Sequence, residues 1–515
     1  MRNLNTAEGI TTNKYKNDEV KILFIYPYFP DTFWSFKHAL KFIFKKASSP
    51  PLGLLTVAAM LPAKWEKRLV DMNVSSLEDE DLRWADLVLI SAMAVQKESV
   101  ERIITRCKSA GVKIVAGGPL FTTAYEEFRD VDYLVLNEAE VTLPLFLEDL
   151  KNGCPKHIYT SEQWADLRKT PLPLWKLINM NHYATINIQY SRGCPFNCEF
   201  CDITLLCGRV PRTKDKDQII KELESIYSYG FRSGVFFVDD NFIGNKRKLK
   251  DEILPAIAEW MELRKQPFSF ITQASIELSD NEELMELMVK AGFDIVFVGI
   301  ETPNEQSLAE CSKFQNKNRD LLASVKKIQK SGLQVQAGFI VGFDNDPLTI
   351  FDTQIKFIQD SGIVTAMVGL LNALPRTQLY QRLEKEKRLL KDTSGDNTDF
   401  SINFIPKMNY DILISGYKKI LNTVYSPKYY YKRVKTFLRE YMPPQKKMFR
   451  FNIKYFCALF KSMFILGILG KERFHYWRLF FWTMFRRPKL FPMAITFSIY
   501  GLHFRKVFEK YIQSH

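Results

Sequence analysis

Residues 185–201 read Thr-Ile-Asn-Ile-Gln-Tyr-Ser-Arg-Gly-Cys-Pro-Phe-Asn-Cys-Glu-Phe-Cys, so that three cysteines follow a strand-like apolar run directly. These are Cys194, Cys198 and Cys201, all within one short loop. A cubane iron–sulfur cluster commonly takes four cysteine ligands, so a compact set of three leaves one iron without a protein thiolate. A catalytic metal needs such an open position to hold its substrate. The motif therefore predicts a catalytic [4Fe–4S] cluster.

A structural zinc site is an alternative interpretation of the same loop, with Cys207 or His182 as the fourth ligand. Zinc motifs prefer two pairs of close ligands separated by a longer spacer, and the second pair is absent from this sequence. A chance grouping of core cysteines is the other alternative. The remaining cysteines are scattered and are interpreted as packing residues: Cys107, Cys154, Cys207, Cys311 and Cys457.

The cysteine loop follows the first of six apolar, β-rich segments, each of which precedes a helical pattern. The segments are 185–190, 235–239, 268–272, 295–299, 334–341 and 364–370. This alternation predicts an incomplete, TIM-like (β/α)6 barrel. The chemistry of such barrels collects at the carboxyl ends of the strands, which is where the cysteine loop lies.

A second strand–helix alternation precedes the barrel and predicts a separate, doubly wound parallel sheet. The chain has 515 residues, enough for two or three domains with their own cores. The predicted organisation is an N-terminal tail (1–20), an α/β domain (21–150), a linker (151–182), the barrel (183–390) and a mainly helical C-terminal region (391–515).

The formal net charge of +14 is concentrated near the C-terminal end. Residues 441–515 carry 14 Lys and Arg against two acidic residues, and they are rich in Phe, Tyr and Trp. One interpretation is a surface that lies in a membrane interface. The equal alternative is a helical cap whose aromatic side chains fill a core. A non-catalytic nucleic-acid binder is a third, but no recognised binding motif appears, so we expect no nucleic-acid partner.

The compartment is predicted from the ends of the chain and from its cysteines. The N-terminal residues lack the apolar stretch of a secretory signal, and eight cysteines are too few for a disulfide scaffold. The apolar runs of the tail are interrupted by Lys461, Arg478 and Arg486 and fall short of the roughly 20 residues that cross a bilayer. We therefore expect a cytosolic protein, with peripheral membrane contact as one of the two interpretations of its tail.

The spacing Cys-x3-Cys-x2-Cys, with an aromatic residue before the last cysteine and a six-unit barrel around it, resembles the radical S-adenosylmethionine (SAM) superfamily. The resemblance implies that the open iron chelates SAM. It also implies that an electron from a flavodoxin- or ferredoxin-type donor breaks the sulfonium bond, which yields a 5′-deoxyadenosyl radical. The SAM-binding residues implied are Phe200, Asp239, Asp240, Glu301, Gly338 and Ile340. Gln273, Ser275 and Asn372 are further candidates because they follow strands at the mouth of the barrel, although polar residues are common at strand ends.

The roles implied for these residues have structural alternatives. Asp239 and Asp240 resemble the segment that accepts the methionine ammonium through charge-assisted hydrogen bonds, but they also suit a helix N-cap. Glu301 resembles the polar residue placed on the ribose or the methionine, with a structural cap as the alternative. Gly338 resembles the glycine of the adenine-binding strand, although a strand glycine can also mark a bulge.

The N-terminal domain resembles the cobalamin-binding module that precedes the barrel in a large branch of this superfamily. The implied cobalamin-binding residues are Pro27, Pro51, Gly53, Leu54, Asp71, Ser91, Gly117, Gly118, Pro119, Asn137 and Glu138. The alternative is a flavodoxin-like sheet without a ligand.

Two places depart from the pattern of that module. Many modules carry a cobalt-binding His after the first strand, whereas this chain has Tyr26-Pro27-Tyr28 and its nearest histidine, His38, is some ten residues on. The resemblance thus implies cobalt without a histidine lower ligand. Asn137-Glu138-Ala139-Glu140 stands where relatives have Gly-Glu-Gly-Glu, which weakens the assignment of Asn137.

Taken together, the motifs resemble the cobalamin-dependent radical SAM methylases (class B), and most of all the hopanoid C-2 methylase group. The resemblance implies methylation of an unactivated carbon through a 5′-deoxyadenosyl radical and methylcobalamin. The implied substrate is small and hydrophobic, such as a hopanoid or another isoprenoid lipid. Carbon–carbon bond formation or rearrangement without net methylation, driven by the same cofactors, is the main alternative.

Overall fold

A computed structural model describes most of the chain, apart from a few short stretches. The described residues are 15, 19–390, 394–396, 398–444 and 453–514. Most of the predicted N-terminal tail therefore lies outside them.

Six parallel strands form the first sheet, in the order β2-β1-β3-β4-β5-β6. The strands are β1 (Lys21–Tyr26), β2 (Glu66–Asp71), β3 (Leu87–Ser91), β4 (Lys113–Gly117), β5 (Tyr133–Val135) and β6 (Ile158–Tyr159). The connecting helices are α1 (Leu52–Met60), α2 (Asp79–Trp84), α3 (Lys97–Ser109), α4 (Pro119–Ala124) and α5 (Ala139–Asn152). Strands β1 and β3 are neighbours, but β1 connects to β2 on one side of the sheet and β3 connects to β4 on the other. Their carboxyl ends therefore form the topological switch point, where sheets of this kind bind ligands.

The segment interpreted as a linker adds to the first sheet. Its residues Ile158–Tyr159 form the edge strand β6, which pairs with β5 in parallel register. The hydroxyl of Tyr159 donates to Asp149 of α5 at 2.9 Å, which ties the edge strand to the preceding helix.

Six further parallel strands form an open barrel in sequence order, with no closing pair between the first and last strands. They are β7 (Thr185–Ile188), β10 (Gly234–Phe237), β11 (Ser269–Gln273), β12 (Phe293–Glu301), β13 (Gln334–Val341) and β14 (Ala366–Leu370). Alternate residues of β7, β10 and β11 are buried against the surrounding helices, as half-covered strands require. Those helices are α7 (Lys216–Ser228), α8 (Leu254–Leu263), α9 (Glu282–Ala291), α10 (Glu305–Glu310), α11 (Leu321–Lys330) and α12 (Ile350–Ser361).

The cysteine loop is closed at its base by a small antiparallel ladder. Strands β8 (Ser191–Arg192) and β9 (Arg212–Thr213) pair, and a short helix, α6 (Ile203–Cys207), lies between them. Gly193 follows β8 with φ of 98°, and a Cβ atom there would lie 2.7 Å from the carbonyl oxygen of Val210. The loop can therefore close only with glycine at this position.

The C-terminal region is helical. Its helices are α13 (Gln378–Lys385), α14 (Tyr410–Val424), α15 (Pro427–Glu440), α16 (Ile453–Phe464), α17 (Arg473–Arg486) and α18 (Phe491–Ser514). No helix within the described ranges has the length and apolar character needed to cross a membrane. The predicted fold class, a doubly wound sheet followed by a partial barrel and a helical region, is confirmed.

The aromatic side chains of the tail divide into a buried set and an exposed set, and membrane contact stays a prediction. Phe504 of α18 is buried and stacks on Phe33 with ring centroids 4.3 Å apart, and His503 lies beside the Phe33 carbonyl at 3.0 Å. Helix α18 therefore acts as the predicted cap. By contrast, Phe474 and Phe485 of α17 are 76% and 75% exposed.

Candidate functional site

One cavity of about 2820 Å³ runs between the two sheets and continues to the C-terminal helices. Cys194, Cys198 and Cys201 line it from the barrel side. The loops after β3, β4 and β5 line it from the first domain, with Ser91 and Gly118 among their residues. The fold thus brings the two predicted cofactor regions to a single continuous cavity.

The cysteine loop is held in place by a buried carboxylate at its base. Asp239, which directly follows β10, accepts hydrogen bonds from the backbone of Tyr190 at 3.1 Å and from the Ser191 hydroxyl at 2.6 Å. The backbone N–H of Ser191 donates to the same carboxylate. Burial raises the pKa of Asp239 to about 6, although these hydrogen bonds favour the charged form. The Asp239 side chain therefore orients the cysteine loop through these hydrogen bonds. It does not line the cavity.

Burial and a nearby lysine act in opposite directions on two of the three thiols. Burial raises the pKa of the Cys194 and Cys201 thiols, whereas the neighbouring Lys313 ammonium acts in the opposite direction. Gln315 also donates to the Cys198 sulfur at 3.7 Å. Buried thiols of this kind become thiolates when a metal binds them.

The three thiols do not converge on a single ion position. Within the described ranges, no group of three or more His, Cys, Asp or Glu side chains surrounds one ion position. A cubane spreads its ligands over different iron atoms, so three thiols around one cavity fit it. Of the residues considered for a zinc site, Cys207 lines the same cavity and His182 does not.

Glycines of the first domain bring backbone to the wall of the cavity. Gly118 has φ of 88° and ψ of −175°, which is essentially a glycine-only conformation. A Cβ atom there would lie 2.4 Å from the Ser91 hydroxyl, whereas one on Gly53 would meet open space. A large planar ligand can therefore approach these loops closely. No histidine of the described chain lines the cavity, which agrees with a cobalt ion that has no histidine ligand.

Two arginines from the barrel connect the cysteine loop to the first domain. Arg192 donates to Glu140 at 2.7 and 3.0 Å and to Glu138 at 3.2 Å. Arg212 forms a bidentate ion pair with Glu138, and both hydrogen bonds are 2.8 Å long. Burial lowers the pKa of Arg192, but Glu140 and Glu138 more than compensate, so its pKa is raised overall. The network fixes the two halves of the cavity relative to each other.

Comparison with known proteins identifies the two domains and the region after them. The B12 binding domain matches residues 46–147, and the radical SAM superfamily matches residues 188–358. Residues 377–515 match a domain of unknown function, DUF4070.

Two curated relatives are similar along most of the chain. An uncharacterized methyltransferase of Synechocystis sp. is 40% identical over 94% of this chain and 91% of its own length. The hopanoid C-2 methylase of Rhodopseudomonas palustris is 32% identical over 89% of this chain and 88% of its own length. The chain belongs to the cobalamin-dependent radical SAM methyltransferases. As predicted, its cofactors are a [4Fe–4S] cluster, SAM and cobalamin, so a zinc site, a first domain without a ligand and a non-catalytic binding protein no longer apply.

The architecture of this methyltransferase recurs in a solved structure. The radical S-adenosylmethionine methyltransferase TsrM from Kitasatospora setae, determined with cobalamin and a [4Fe–4S] cluster bound, superposes with a TM-score of 0.59. The match covers 96% of this chain and 99% of TsrM at 14% identity, so it establishes the fold alone.

The predicted SAM-binding residues of the methyltransferase divide into two groups. Five line the cavity: Phe200, Asp240, Gln273, Ser275 and Glu301. Burial, together with the neighbouring Asp239 and Asp202 carboxylates, raises the pKa of Asp240 to about 7. The four outside the lining are Asp239, Gly338, Ile340 and Asn372. The individual SAM contacts stay predictions.

The four residues outside the lining have structural partners. Asn372 accepts from the backbone of Asn403 at 3.1 Å. The carbonyl of Ile340 accepts from Gln354 at 2.7 Å. A Cβ atom on Gly338 would lie 3.1 Å from the ring of Phe297, which itself lines the cavity.

The predicted cobalamin-binding residues also divide. Pro51, Gly53, Leu54, Ser91, Gly117, Gly118, Pro119, Asn137 and Glu138 line the cavity. Pro27 and Asp71 do not. The Pro27 carbonyl accepts from Gln96 at 2.6 Å, and Asp71 accepts from the Tyr183 hydroxyl at 2.9 Å. Asp71 thus bonds across to the segment just before the barrel.

Sequence reasoning missed Lys313, which the fold places beside the cysteines. Its ammonium donates to Glu301 at 2.8 Å, and both residues line the cavity. Glu301 itself has φ of 62°, an uncommon value for a residue with a side chain. Asn316 donates to the carbonyls of Gly299 and Ile300 at 3.0 Å, which holds this turn. The sequence contains no motif that singles out Lys313.

Gly53 allows a test of the cobalamin side of the cavity. A Gly53→Leu variant is expected to lose cobalamin, because its side chain would enter the open space next to α1. The fold should be unaffected or slightly more stable, by about 0.5–1 kcal/mol, since Gly53 lies in a helix. Corrinoid absorbance after gel filtration and thermal unfolding measure the two effects.

The size-graded control is Gly53→Ala, which should keep most of the cobalamin. If Gly53→Leu retains cobalamin as fully as Gly53→Ala does, the corrinoid does not occupy this part of the cavity.

Proposed function

We propose that this methyltransferase transfers a methyl group to an unactivated carbon of a hydrophobic, lipid-class substrate. The observation that carries the proposal is the continuity of the cavity. The cysteine loop and the cobalamin loops border one end, and apolar side chains of the C-terminal helices border the other. A substrate bound there would contact both cofactor regions and aromatic side chains at once.

The substrate end of the cavity has the character of an apolar binding site. Trp34 reaches into the barrel, where its ring lies 5.4 Å from Phe297 edge-on and its indole N–H points at the Met367 sulfur at 2.9 Å. The helices α16 and α18 contribute a further set of lining side chains: Leu459, Phe491, Met493, Phe497 and Tyr500. An extended or polycyclic hydrocarbon would bury its surface against these groups.

The bound cofactors supply a hydrogen-abstracting radical and a methyl group, and the residues of this chain position them. Cys194, Cys198 and Cys201 would hold the cluster. Asp239 fixes the loop that carries these cysteines, and the pairs of Arg192 and Arg212 with Glu138 and Glu140 fix that loop against the cobalamin side. A substrate that fills the cavity would exclude water, which protects a reactive radical from quenching.

Two further points support the proposal. The hopanoid C-2 methylase of Rhodopseudomonas palustris is named for a lipid substrate, and this chain is similar to it along most of its length. A reducing partner of the flavodoxin or ferredoxin type would supply the electron, because none of the side chains around the cavity is itself a reductant of SAM.

The test is a turnover assay with anaerobically reconstituted protein. Triterpenoid acceptors in detergent and SAM with a labelled methyl group are expected to give a product heavier by one methylene unit that carries the label. A product without the added methyl group would instead indicate bond formation or rearrangement. No conversion of any triterpenoid, with SAM cleavage intact, would contradict the lipid assignment.

A further inference from the structure

Helices α16 and α17 and the turn between them expose an unusual number of large apolar side chains. The most exposed are Phe474 at 76%, Phe485 at 75% and Leu469 at 67%. The others are Phe460, Phe464, Ile468, Phe481 and Met484. Soluble surfaces rarely collect apolar groups in this way unless something binds there.

Basic residues are interspersed with these apolar side chains. Those that are exposed are Lys471, Arg473, Arg478, Arg486 and Lys489. Glu472 is the only acidic residue between 453 and 490, and it is buried in an ion pair with Arg505. We call these exposed apolar and basic residues the aromatic–basic surface. The aromatic–basic surface carries a positive charge, because the one acidic residue in this stretch, Glu472, is buried and paired.

The aromatic–basic surface is continuous with the cavity. Tyr455 lies on α16, one turn before Phe460, and it is 57% exposed while it also lines the cavity. Leu459 on the same helix lines the cavity from a partly buried position. A molecule that enters past Tyr455 would leave this surface and reach the cofactor regions through one uninterrupted space.

We propose that the aromatic–basic surface binds the interface of an anionic lipid bilayer and admits a membrane-embedded substrate to the cavity past Tyr455. The inference rests on the proposed function, because it explains how a lipid would reach the site. Aromatic rings would lie at the acyl boundary, and Lys and Arg would contact anionic headgroups.

The combination of side chains favours a bilayer over a protein partner. Phe is the main exposed aromatic residue. The lysines and arginines have flexible side chains whose charged ends can contact lipid headgroups while their methylene groups stay in apolar surroundings. A bilayer also provides the dense negative charge that this surface lacks. Its binding should therefore weaken as salt is raised.

The test is co-sedimentation of the full-length protein with vesicles of phosphatidylcholine alone or of phosphatidylcholine with phosphatidylglycerol. Binding is expected only to the anionic vesicles. A Phe474→Ser, Phe485→Ser double variant should bind about tenfold more weakly, because two interfacial anchors are lost. An Arg478→Glu, Arg486→Glu variant should lose the preference for anionic vesicles.

The matched control is a Leu263→Ser, Leu348→Ser variant, which removes two apolar side chains that are 73% and 66% exposed elsewhere. It should bind vesicles like the parent protein. Equal binding by the two serine double variants, or no binding by the parent, would overturn the proposal. Sedimentation velocity gives a further outcome that would overturn it. If the parent protein is a dimer and the Phe474→Ser, Phe485→Ser variant is a monomer, a second copy of the chain covers the surface.

Vesicle binding needs neither cofactors nor turnover, so it is independent of the proposed function. With the substrate placed in vesicles, the Phe474→Ser, Phe485→Ser variant should turn it over about tenfold more slowly, while it remains fully active on substrate in detergent. Methyl transfer that fails in detergent would count against the proposed function and leave the vesicle result unchanged.

Discussion

A variant in which Cys194, Cys198 and Cys201 are all replaced by alanine is expected to bind no iron–sulfur cluster and to lose SAM cleavage completely. The three thiols line one cavity, and the sequence has no other short loop with three cysteines that could replace them. Without the cluster there is no site for SAM chelation or electron transfer. Iron and sulfide content and the formation of 5′-deoxyadenosine measure the effect.

Two single variants serve as controls for this prediction. Cys154 is exposed and outside the cavity, so Cys154→Ala should behave like the parent protein. Cys207→Ala is more demanding, because Cys207 lines the cavity and burial raises its thiol pKa to about 12. It should still assemble the cluster. Retention of cobalamin by the triple variant would show that the fold is intact, and SAM cleavage by it would refute the assignment.

The second large effect is expected from Glu138→Ala, which removes the centre of the ionic network between the domains. Glu138 accepts from Arg192 and Arg212, and its other contact is the backbone N–H of Ala165 at 2.6 Å. The carboxylate is only 5% exposed, and its removal leaves the part-buried guanidinium of Arg212 without a carboxylate partner, whereas Arg192 keeps its pair with Glu140. Breaking such a pair costs about 3–5 kcal/mol of unfolding free energy.

Denaturant unfolding measures that loss, and cobalamin retention reports whether the two domains still close on the cavity. The control is Glu80→Ala, which breaks the ion pair with Arg83 between side chains that are 78% and 66% exposed. Surface pairs contribute little, so no comparable loss is expected there. A Glu138→Ala protein as stable as Glu80→Ala would show that the network is dispensable.

The strands and the cysteine loop were predictable because their signals are local. The segment 334–341 was predicted as a strand and forms β13 with the same bounds. Apolar runs of this kind fit a parallel strand covered on both faces, so neighbouring residues alone indicate it. The predicted strand at 364–370 begins two residues later, at Ala366. The division of the chain at residues 20, 150, 182 and 390 stays a prediction.

The roles of single residues were harder to predict, because each depends on a partner far away in sequence. Asp239 was interpreted as a SAM ligand from its place after a strand, yet its carboxylate bonds to Ser191, 48 residues away. The Trp34 contact with Met367 joins residues 333 positions apart. A polar residue at a strand end has the same local pattern whether it faces the cavity or the loop below it.

By itself, the sequence determined the two α/β domains and the three thiols, since periodicity and contiguous motifs record contacts among near neighbours, and the family resemblance of its motifs implied SAM and cobalamin. Only the tertiary structure decided that both cofactor regions share one cavity, that Lys313 stands beside Glu301, and that Arg192 and Arg212 join the domains. It also decided which aromatic residues of the tail fill a core and which face outward. The reason is physical: burial and charge pairing depend on which distant segments meet, and no local pattern encodes that meeting.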